Sequence, residues 1–469
     1  MRFEQAFDAS ASFEERFCCE KFPGACTVVI FGATGDLAVK KLFPALRRLF
    51  VSGLLHRSSR IVASSRRAIG ADDLAPEIRN DSKFMKLVHF LSFDPDLLQS
   101  AENFALSLDR LDAEAAPLPR IYYLALPAAA YAQMIPAMAR AGLFSEPDEK
   151  LFYNLVLEKP LGYSVAEMKT LRKLLKTCCS EQRIYLIDHY LGKDEVQNIL
   201  MLRFANTIFS GVWNRKFIES ITIGVSEFSG IGSRAGYFDR AGIIRDMFQS
   251  HLLLALGLCI MRRPEEFDNF SITRSLLNAM KYVSAGKVRF YGQYEGYLQE
   301  KGIAPGSRTA TCADIEFSSA RCDWKGVKFR LFSGKRLARD FSFIRVTFRK
   351  VPAGFFGRDT DRILPGNELT LELKPVSGIS LGICAKKSGP HLCVGQLTLS
   401  QNSNTPADGY SRLLLDCLNC DRTFFPGFDL FVRTGKICDD LLSSIEHGKE
   451  QIYCIYPAGT DLSGKAAPE

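Results

Sequence analysis

A cluster of ionisable residues follows a short apolar segment in the middle of the chain. The segment is YLIDHYLGKDEVQ, residues 185–197, in which Asp188, His189, Tyr190 and Lys193 come directly after Ile187. Imidazole, phenol and ammonium groups next to a helix start could bind a phosphate, and we expect the helix to begin near Tyr190. Asp188, at the predicted strand end, is a candidate to orient another group. The alternative is a solvated helix start.

A second candidate is the histidine that begins a strongly apolar helical segment. His251 lies in GYFDRAGIIRDMFQSHLLL, residues 236–254, and Asp246 precedes it by five positions. Taken alone, such a histidine is more often a core residue than a base. In a continuous α-helix the two side chains would lie about 140° apart. Both could reach one ligand only if the pocket wrapped around the helix or the helix began between them.

A glycine turn near the N-terminus is typical of nucleotide binding. VVIFGATGDLA, residues 28–38, predicts a buried strand, a turn with Gly32 and Gly35, and then a helix. These glycines allow a tight turn, and the helix start offers N–H groups to a pyrophosphate. The spacing departs from GxGxxG, so the alternative is an ordinary strand–helix turn.

Residues at the ends of later strands indicate which cofactor binds. In NAD-binding proteins an acidic residue at the end of the second strand usually hydrogen-bonds the ribose hydroxyls. Here the second strand, RIVASS, residues 60–65, is followed by Arg66 and Arg67. Two guanidinium groups match a 2′-phosphate, so the sequence favours NADP; the alternative is two solvated surface arginines. Lys159 in LEKPLG stands at a strand end, where ligands collect in open α/β sheets.

The elements that must position these residues change in character along the chain. Strands alternate with helices up to about residue 190, which predicts an α/β Rossmann-like doubly wound parallel sheet, with a helix broken or kinked at Pro44. After about residue 215, strands follow one another around a helical stretch at 236–283, which predicts an α+β domain with a large, mainly antiparallel sheet.

The predicted segments are an extension at 1–25, an NADP-binding domain at 26–187, a substrate and dimerisation domain at 188–458, and a tail at 459–469.

Composition excludes several classes of function. The chain has 469 residues, 47% of them hydrophobic and 24% charged, with a net charge of +8, which suits a soluble protein that binds an anionic small molecule. It has no basic block for nucleic acid, no apolar run long enough to span a membrane and no secretory signal. Its 14 cysteines include no two CxxC motifs at zinc spacing, so we expect reduced thiols, a cytoplasmic location and no metal.

Several of these motifs, in this order, resemble the glucose-6-phosphate dehydrogenase family. The matching segments run from about residue 26 to 340: GATGDLAVKKLFPAL, YYLALP, LEKPLG, IDHYLGKDEVQNILMLRFAN, GYFDRAGIIRDMFQSH and FRLFSGKRLA. A weaker match is DGYSRLLLD at 408–416. IDHYLGK is the most specific of them, whereas GATGDLA alone would not identify the family. The resemblance implies NADP-dependent oxidation of glucose 6-phosphate.

The resemblance also implies roles for individual residues. His251 corresponds to the general base, and Asp188 to the carboxylate that hydrogen-bonds it. The implied substrate-binding residues are Lys159, His189, Tyr190, Lys193, Glu227, Asp246, Lys335 and Arg339. The implied cofactor-binding residues are Gly32, Thr34, Gly35, Asp36, Leu37, Lys41, Arg66 and Lys159.

The chain departs from the family pattern at specific places. Asp340 stands five residues after Lys335, where the family usually has a second basic residue for the phosphate, and Arg339 could substitute if the turn shifted by one residue. QSH replaces the usual QNH before the base, and the match weakens beyond residue 350, where a second, structural NADP site is in doubt. The alternatives are therefore a related hexose or hexose-phosphate dehydrogenase and a catalytically silent NADP-binding regulator.

The expected partners are small molecules and a second copy of the chain. The resemblance implies glucose 6-phosphate and NADP, and the sequence gives no reason to expect nucleic acid or membrane binding. An exposed face of a large antiparallel sheet would need covering. We therefore expect a homodimer or a higher homo-oligomer.

Overall fold

A computed structural model describes most of the chain. The described residues are 22–114, 116–146, 150–188, 190–351, 364–390, 393–403, 409–447 and 453–461. His189, and most of the predicted N-terminal extension and tail, lie outside them.

The first sheet has six strands in the order β3-β2-β1-β4-β5-β6. Its strands are β1 Thr27–Phe31, β2 Arg60–Ser65, β3 Val88–Ser92, β4 Arg120–Leu124, β5 Tyr153–Leu157 and β6 Ile184–Leu186. The pairs β1–β2, β1–β4 and β2–β3 are parallel. This is the Rossmann strand order, so the predicted doubly wound sheet is confirmed.

Helices follow the strands of this sheet, as the sequence predicts. Their bounds are Phe43–Val51, Pro76–Arg79, Ser82–Met85, Leu98–Glu114, Tyr131–Arg140 and Val165–Cys178. Ser164 caps the last of them by accepting a hydrogen bond from the Glu167 N–H at 3.1 Å. The helix is not broken at Pro44: a π-helical turn, Ala38–Leu42, leads directly into the α-helix that contains Pro44, and the alternative of a kink stays a prediction. Proline is tolerated there because it lies in the first turn of that α-helix.

The second sheet has nine strands in the order β14-β13-β12-β11-β7-β10-β9-β8-β15. Its strands are β7 Ile218–Ser226, β8 Val283–Tyr294, β9 Cys312–Ser319, β10 Lys328–Gly334, β11 Phe341–Phe348, β12 Glu368–Lys374, β13 Ser377–Lys386, β14 Val394–Ser403 and β15 Tyr453–Tyr456. Only β7–β10 and β8–β15 pair in parallel among the described residues. The predicted mainly antiparallel sheet is therefore confirmed.

The helices of the C-terminal part include one long, almost wholly buried run. The α-helices are Asp194–Ala205, Thr207–Ser210, Ala235–Ile243, Leu253–Ile260, Asn269–Met280, Gly409–Leu418 and Phe428–Glu446, and a π-helix spans Ile244–Leu252. Within the described residues, the run Ala235–Ile260 is the one helix long and apolar enough to cross a membrane, and 94% of its apolar window is buried inside the protein. It forms part of the core of its own unit.

The chain forms two compact units that are discontinuous in sequence. One comprises Met1–Ala125, Ala137–Leu155 and Leu413–Asp421, and the other comprises Leu126–Pro136, Val156–Arg412 and Arg422–Glu469. The predicted domains are continuous segments, and their boundaries stay a prediction. Every described cysteine is a free thiol.

Candidate active site

A buried histidine–aspartate pair forms the centre of the site. Asp188 lies two residues beyond β6, and its side chain is fully buried. His251 comes from the π-helix, and its Nδ1 lies 3.0 Å from Asp188 Oδ1. Residues that are 63 positions apart in sequence thus meet, as the resemblance implies.

Two further groups hold the Asp188 carboxylate in place. Lys159, two residues beyond β5, donates from Nζ to Asp188 Oδ2 at 2.5 Å. The backbone N–H of Tyr190 donates to Asp188 Oδ1 at 2.9 Å. Because each carboxylate oxygen is bound, the aspartate cannot rotate away from the imidazole. The carboxylate therefore fixes which histidine nitrogen carries the proton.

The electrostatics of the cluster keep the imidazole neutral. Burial and the nearby Lys159 ammonium lower the pKa of His251 below its ordinary value, against the opposing effect of Asp188. Burial also lowers the pKa of Lys159, although the Asp188 carboxylate opposes it. A neutral imidazole whose Nδ1–H is donated to a carboxylate carries its lone pair on Nε2. It can therefore accept a proton there.

The π-helix resolves the geometric problem that Asp246 posed. The sequence offered two alternatives, a pocket wrapped around an α-helix or a helix start between Asp246 and His251. Neither holds, because both residues lie inside Ile244–Leu252, where the backbone is π-helical. The i→i+5 hydrogen bonds of such a helix make residues five apart neighbours along its axis. Asp246 therefore contributes to the electrostatic environment of His251.

Asp246 belongs to a second cluster with Lys335, which is also buried, and Glu227, which is half-buried. Lys335 Nζ lies 2.5 Å from Glu227 Oε2 and 3.6 Å from Asp246 Oδ2. Burial, which alone would raise the pKa of Asp246, is outweighed by Lys335 and Arg234, so this pKa lies below its ordinary value. Asp246 is thus an ionised acceptor that suits sugar hydroxyls.

Tyr237 and Arg234 are site residues that the sequence analysis missed. The Tyr237 hydroxyl and Arg234 Nη2 each lie 3.2 Å from Asp246 Oδ1. Tyr237 is in the GYFDRAG segment that carries the family resemblance, so the segment pointed to the region. Nothing in its spacing shows that tyrosine and arginine converge on one carboxylate.

The IDHYLGK segment lies against the histidine but is not a helix start at Tyr190. The α-helix begins at Asp194, and Lys193 is its N-cap residue, so the predicted start is wrong by four residues. The intervening turn is closed by backbone hydrogen bonds such as Leu191 N–H to Asp188 O. The Tyr190 ring stacks on His251 with ring centroids 4.3 Å apart, and Lys193 Nζ lies 4.4 Å from the Tyr190 ring centroid. His189 lies outside the described residues.

Asp340 and Arg339 follow Lys335 in the region where the family has its second basic residue. Asp340 Oδ1 accepts a hydrogen bond from the Phe228 backbone N–H at 2.9 Å. Arg339 is exposed, and its guanidinium lies 5.7 Å from the Phe341 ring centroid. The structure places Arg339 at the surface, and its role in phosphate binding stays a prediction.

The glycine turn after β1 has the form that a dinucleotide requires. Gly32 has φ 84°, in the left-handed region that favours glycine. A Cβ on Gly35 would approach the Gly32 carbonyl oxygen to 3.2 Å, so glycine at this position avoids a tight contact within the turn. These observations fit a pyrophosphate at the turn.

The other predicted cofactor residues surround this turn or follow β2. Thr34, Asp36 and Lys41 are exposed and Leu37 is half-buried, while Asp36 pairs with Lys40 at 3.1 Å. Arg66 is exposed directly after β2.

The neighbouring Arg67 pairs with an acid. Its Nη2 lies 2.5 Å from Asp73 Oδ1. The sequence shows no acid beside the two arginines, but the fold brings Asp73 to Arg67.

The fold and the site define a class of protein before any comparison. A Rossmann-order sheet with a glycine turn, together with a buried histidine–aspartate pair, is the arrangement of a nicotinamide-dependent oxidoreductase. The chain belongs to the glucose-6-phosphate dehydrogenase family: residues 29–198 match its NAD binding domain and residues 200–467 match its C-terminal domain. The chain is therefore a dehydrogenase of this family.

Individual relatives match over nearly their whole length. Glucose-6-phosphate 1-dehydrogenase of Treponema pallidum (strain Nichols) is 32% identical, over 94% of this chain and 93% of that protein. The enzyme of the same name from Chlamydia pneumoniae is 30% identical, over 93% of this chain and 92% of that protein.

Two solved structures are similar to this one. Glucose-6-phosphate dehydrogenase in complex with its substrate glucose-6-phosphate has a TM-score of 0.85 and 29% identity, and covers 95% of this chain and 97% of that chain. Glucose-6-phosphate 1-dehydrogenase from Mycobacterium avium has a TM-score of 0.79 and 27% identity, with 93% and 95% covered.

Proposed function

We propose that the protein oxidises D-glucose 6-phosphate to 6-phosphoglucono-1,5-lactone with NADP, the first step of the oxidative pentose phosphate pathway. The observation that carries the proposal is the buried Asp188 carboxylate, bound at once to His251 Nδ1 and Lys159 Nζ. Family membership and a similar structure that contains glucose 6-phosphate support the substrate. The free thiols of the described cysteines fit the cytoplasmic location that we also propose.

The proposed chemistry needs a base at the C1 hydroxyl of the sugar. His251 accepts the hydroxyl proton on Nε2, and the resulting imidazolium is stabilised by Asp188, which already holds Nδ1–H. Such a base contributes roughly 10²–10⁴-fold to the rate. When bound, a nicotinamide cofactor supplies the hydride acceptor. Glu227 and Asp246 would accept hydrogen bonds from sugar hydroxyls, and Lys335 holds both carboxylates in place.

The preference for NADP over NAD rests on Arg66. A guanidinium after the second strand matches a 2′-phosphate, and charge-assisted hydrogen bonds of this kind are worth about 1.5–3 kcal/mol. Arg66→Ala should therefore lower kcat/KM for NADP by about 10–100-fold while leaving the value for NAD almost unchanged. Arg57→Ala, at an exposed arginine of the same unit, is the control and should change neither. An equal decrease in kcat/KM with NADP and with NAD would show that Arg66 does not bind the 2′-phosphate.

The proposed function is tested by the formation of reduced cofactor. The purified protein is supplied with NADP or NAD and with glucose 6-phosphate or glucose, and the absorbance of the reduced nicotinamide is followed. We expect the highest kcat/KM with glucose 6-phosphate and NADP. A folded protein that produces no NADPH from glucose 6-phosphate would contradict the proposal.

One observation favours a second candidate, a related hexose or hexose-phosphate dehydrogenase. Asp340 occupies the position where a basic residue would bind the phosphate, and an acid there repels it. If this candidate is right, kcat/KM for glucose or another hexose phosphate will exceed that for glucose 6-phosphate.

A further inference from the structure

The lysines implied as substrate ligands supply less positive charge than their number suggests. Lys159 is paired with Asp188, and Lys335 is paired with Glu227 and lies near Asp246. A lysine that is already bound to a carboxylate adds little net attraction for a dianionic phosphate. Among the described lysines implied as substrate ligands, Lys193 alone lies over an aromatic ring, that of Tyr190, without also pairing with a carboxylate.

Asp340 adds a negative charge to this region. Asp340 is used structurally, because its Oδ1 accepts a hydrogen bond from the Phe228 backbone N–H. That bond ties the turn after Arg339 to the end of β7, whose Ser226 hydroxyl donates to the Arg339 carbonyl at 2.6 Å. The acid at position 340 is therefore built into the turn and supplies no positive charge for a phosphate.

Lys374 approaches the Tyr190–Lys193 pair from the second sheet. It is the last residue of β12, it is exposed, and in the sheet register it lies opposite Ser342 of β11. The Ser342 side chain lies close enough to the Tyr190 hydroxyl to lower its pKa, although burial, the larger effect, raises it. Since Lys193 Nζ lies over the ring of the same tyrosine, the two lysines converge on one place.

A contact between two elements holds Lys374 in this position. Ser377, three residues further on at the start of β13, hydrogen-bonds Glu195 in the first turn of the helix Asp194–Ala205. The turn after Lys374 is thereby fastened to the helix that Lys193 caps. The distance between the two lysines is therefore set by the fold.

The charges of the two lysines oppose each other. Burial first, and then the Lys374 ammonium, lower the pKa of Lys193, while Glu195 and Asp188 act in the opposite sense. Lys374 forms no ion pair within the part of the chain that the structure describes. Two cations held together in this way bind an anion well, because the anion relieves their repulsion as well as attracting each of them.

We propose that Lys374 binds the phosphate monoester of the substrate together with Lys193, and that it replaces the positive charge missing at position 340. The proposal rests on the proposed function, because it assigns a ligand within that substrate site. Lys374 acts on recognition and not on the chemical step, since it is not in contact with the His251–Asp188 pair. A change there should alter KM and leave kcat in place.

The test is the kinetics of Lys374→Gln. Removing one charge-assisted contact to phosphate should raise KM for glucose 6-phosphate by about 10–100-fold, with kcat within about twofold of the unchanged protein. Inorganic phosphate should compete with the sugar phosphate, and its inhibition constant should rise together with KM. Lys374→Arg, which keeps the charge, should restore most of the affinity. Lys325→Gln, at an exposed lysine of the same unit, is the matched control and should change neither constant.

The outcomes separate this proposal from the proposed function. An active protein whose Lys374→Gln variant keeps its KM and its phosphate inhibition would overturn the role of Lys374 alone. A rise in KM no larger than that of Lys325→Gln would also overturn the role of Lys374. If the unchanged protein forms no NADPH from glucose 6-phosphate, the proposed function itself fails. Calorimetric binding of inorganic phosphate that is weaker in Lys374→Gln than in the unchanged protein would then still support an anion site at Lys374, and equal binding would overturn it.

Discussion

Asp188 is the residue on which the buried site is organised. It accepts hydrogen bonds from an imidazole, an ammonium and a backbone N–H, and no surface of its side chain is exposed. Hydrogen bonds from three donors favour the charged form of a carboxylate. Its charge can therefore stabilise a proton on His251 during the reaction.

The first residue-scale prediction concerns the titration of His251. Its pKa lies below the ordinary value because burial and Lys159 outweigh Asp188. Lys159→Met removes the cation and leaves the carboxylate, so it should raise this pKa. Nuclear magnetic resonance of protein with labelled histidines, with His251→Asn to assign the signal, measures it directly.

The control for this titration is Lys176→Met, at an exposed lysine of the helix Val165–Cys178. It should leave the signal of His251 unchanged. A pKa of His251 at or above about 6.5 in the unchanged protein, or one that falls in Lys159→Met, would contradict this electrostatic account.

The sequence predicted the members of the site better than their arrangement. The pairing of Asp188 with His251 came from resemblance to a family, since no local pattern joins residues 63 positions apart. The placement of Asp246 was not predictable, because helical periodicity was taken as that of an α-helix and the segment is π-helical. Tyr237 and Arg234 reach Asp246 from the preceding α-helix Ala235–Ile243 and its N-cap, contacts that the spacing does not reveal.

At the scale of elements, the C-terminus of the helix Leu253–Ile260 is closed by side chains from elsewhere. Arg203 donates to the carbonyl of Leu258 and, at 2.6 Å, to that of Met261. Trp213 donates to the Cys259 carbonyl at 2.7 Å, and Trp324 to that of Ile260 at 2.8 Å. These bonds satisfy carbonyls that a helix end leaves without partners. They fasten the end of the helical run that carries His251.

The element-scale prediction is that Arg203→Met destabilises the protein. Burial lowers the pKa of Arg203 to about 9, so the guanidinium is still charged at neutral pH. Its loss leaves two buried carbonyls without a charged donor, which should cost roughly 2–4 kcal/mol. Urea unfolding followed by circular dichroism measures the change.

Arg262→Met controls for the general effect on stability of replacing an arginine with methionine. Arg262 is mostly exposed and lies 3.5 Å from Asp323, and such surface pairs contribute about 0–1 kcal/mol. Equal destabilisation by the two variants would show that the buried carbonyl contacts do not matter.

The strands that the sequence analysis missed share a physical reason. β8 and β13 contain glycines and have mixed burial, so neither shows a clean apolar alternation. β3 and β15 are short and likewise only partly buried. Strands with strong β-branched or alternating patterns, such as β1, β7 and β11, were predicted, because their own side chains decide their conformation.

At the scale of the whole molecule, the second sheet has an exposed apolar edge. β14 is an edge strand, and Leu397 and Leu399 lie on one face of it, about half exposed. An exposed edge strand with apolar side chains favours association with another chain. We therefore predict that two copies associate at this edge.

The whole-molecule prediction is tested by sedimentation velocity. The protein should sediment as a dimer or a larger oligomer, and the double variant Leu397→Lys with Leu399→Lys should sediment as a smaller species. Ile208→Lys, at an exposed isoleucine on the helix Thr207–Ser210, should leave the oligomer intact. A monomeric unchanged protein, or an oligomer unaffected by the double variant, would contradict the prediction.

The most direct test of the central claim is the turnover of glucose 6-phosphate by His251→Asn. Asparagine keeps a hydrogen-bonding side chain but cannot act as the base, so kcat should fall by roughly 10²–10⁴-fold. The dissociation constant of glucose 6-phosphate, measured by calorimetry, should stay within a fewfold of that of the unchanged protein. A kcat within a fewfold of that of the unchanged protein would show that His251 is a core histidine, and would contradict the account.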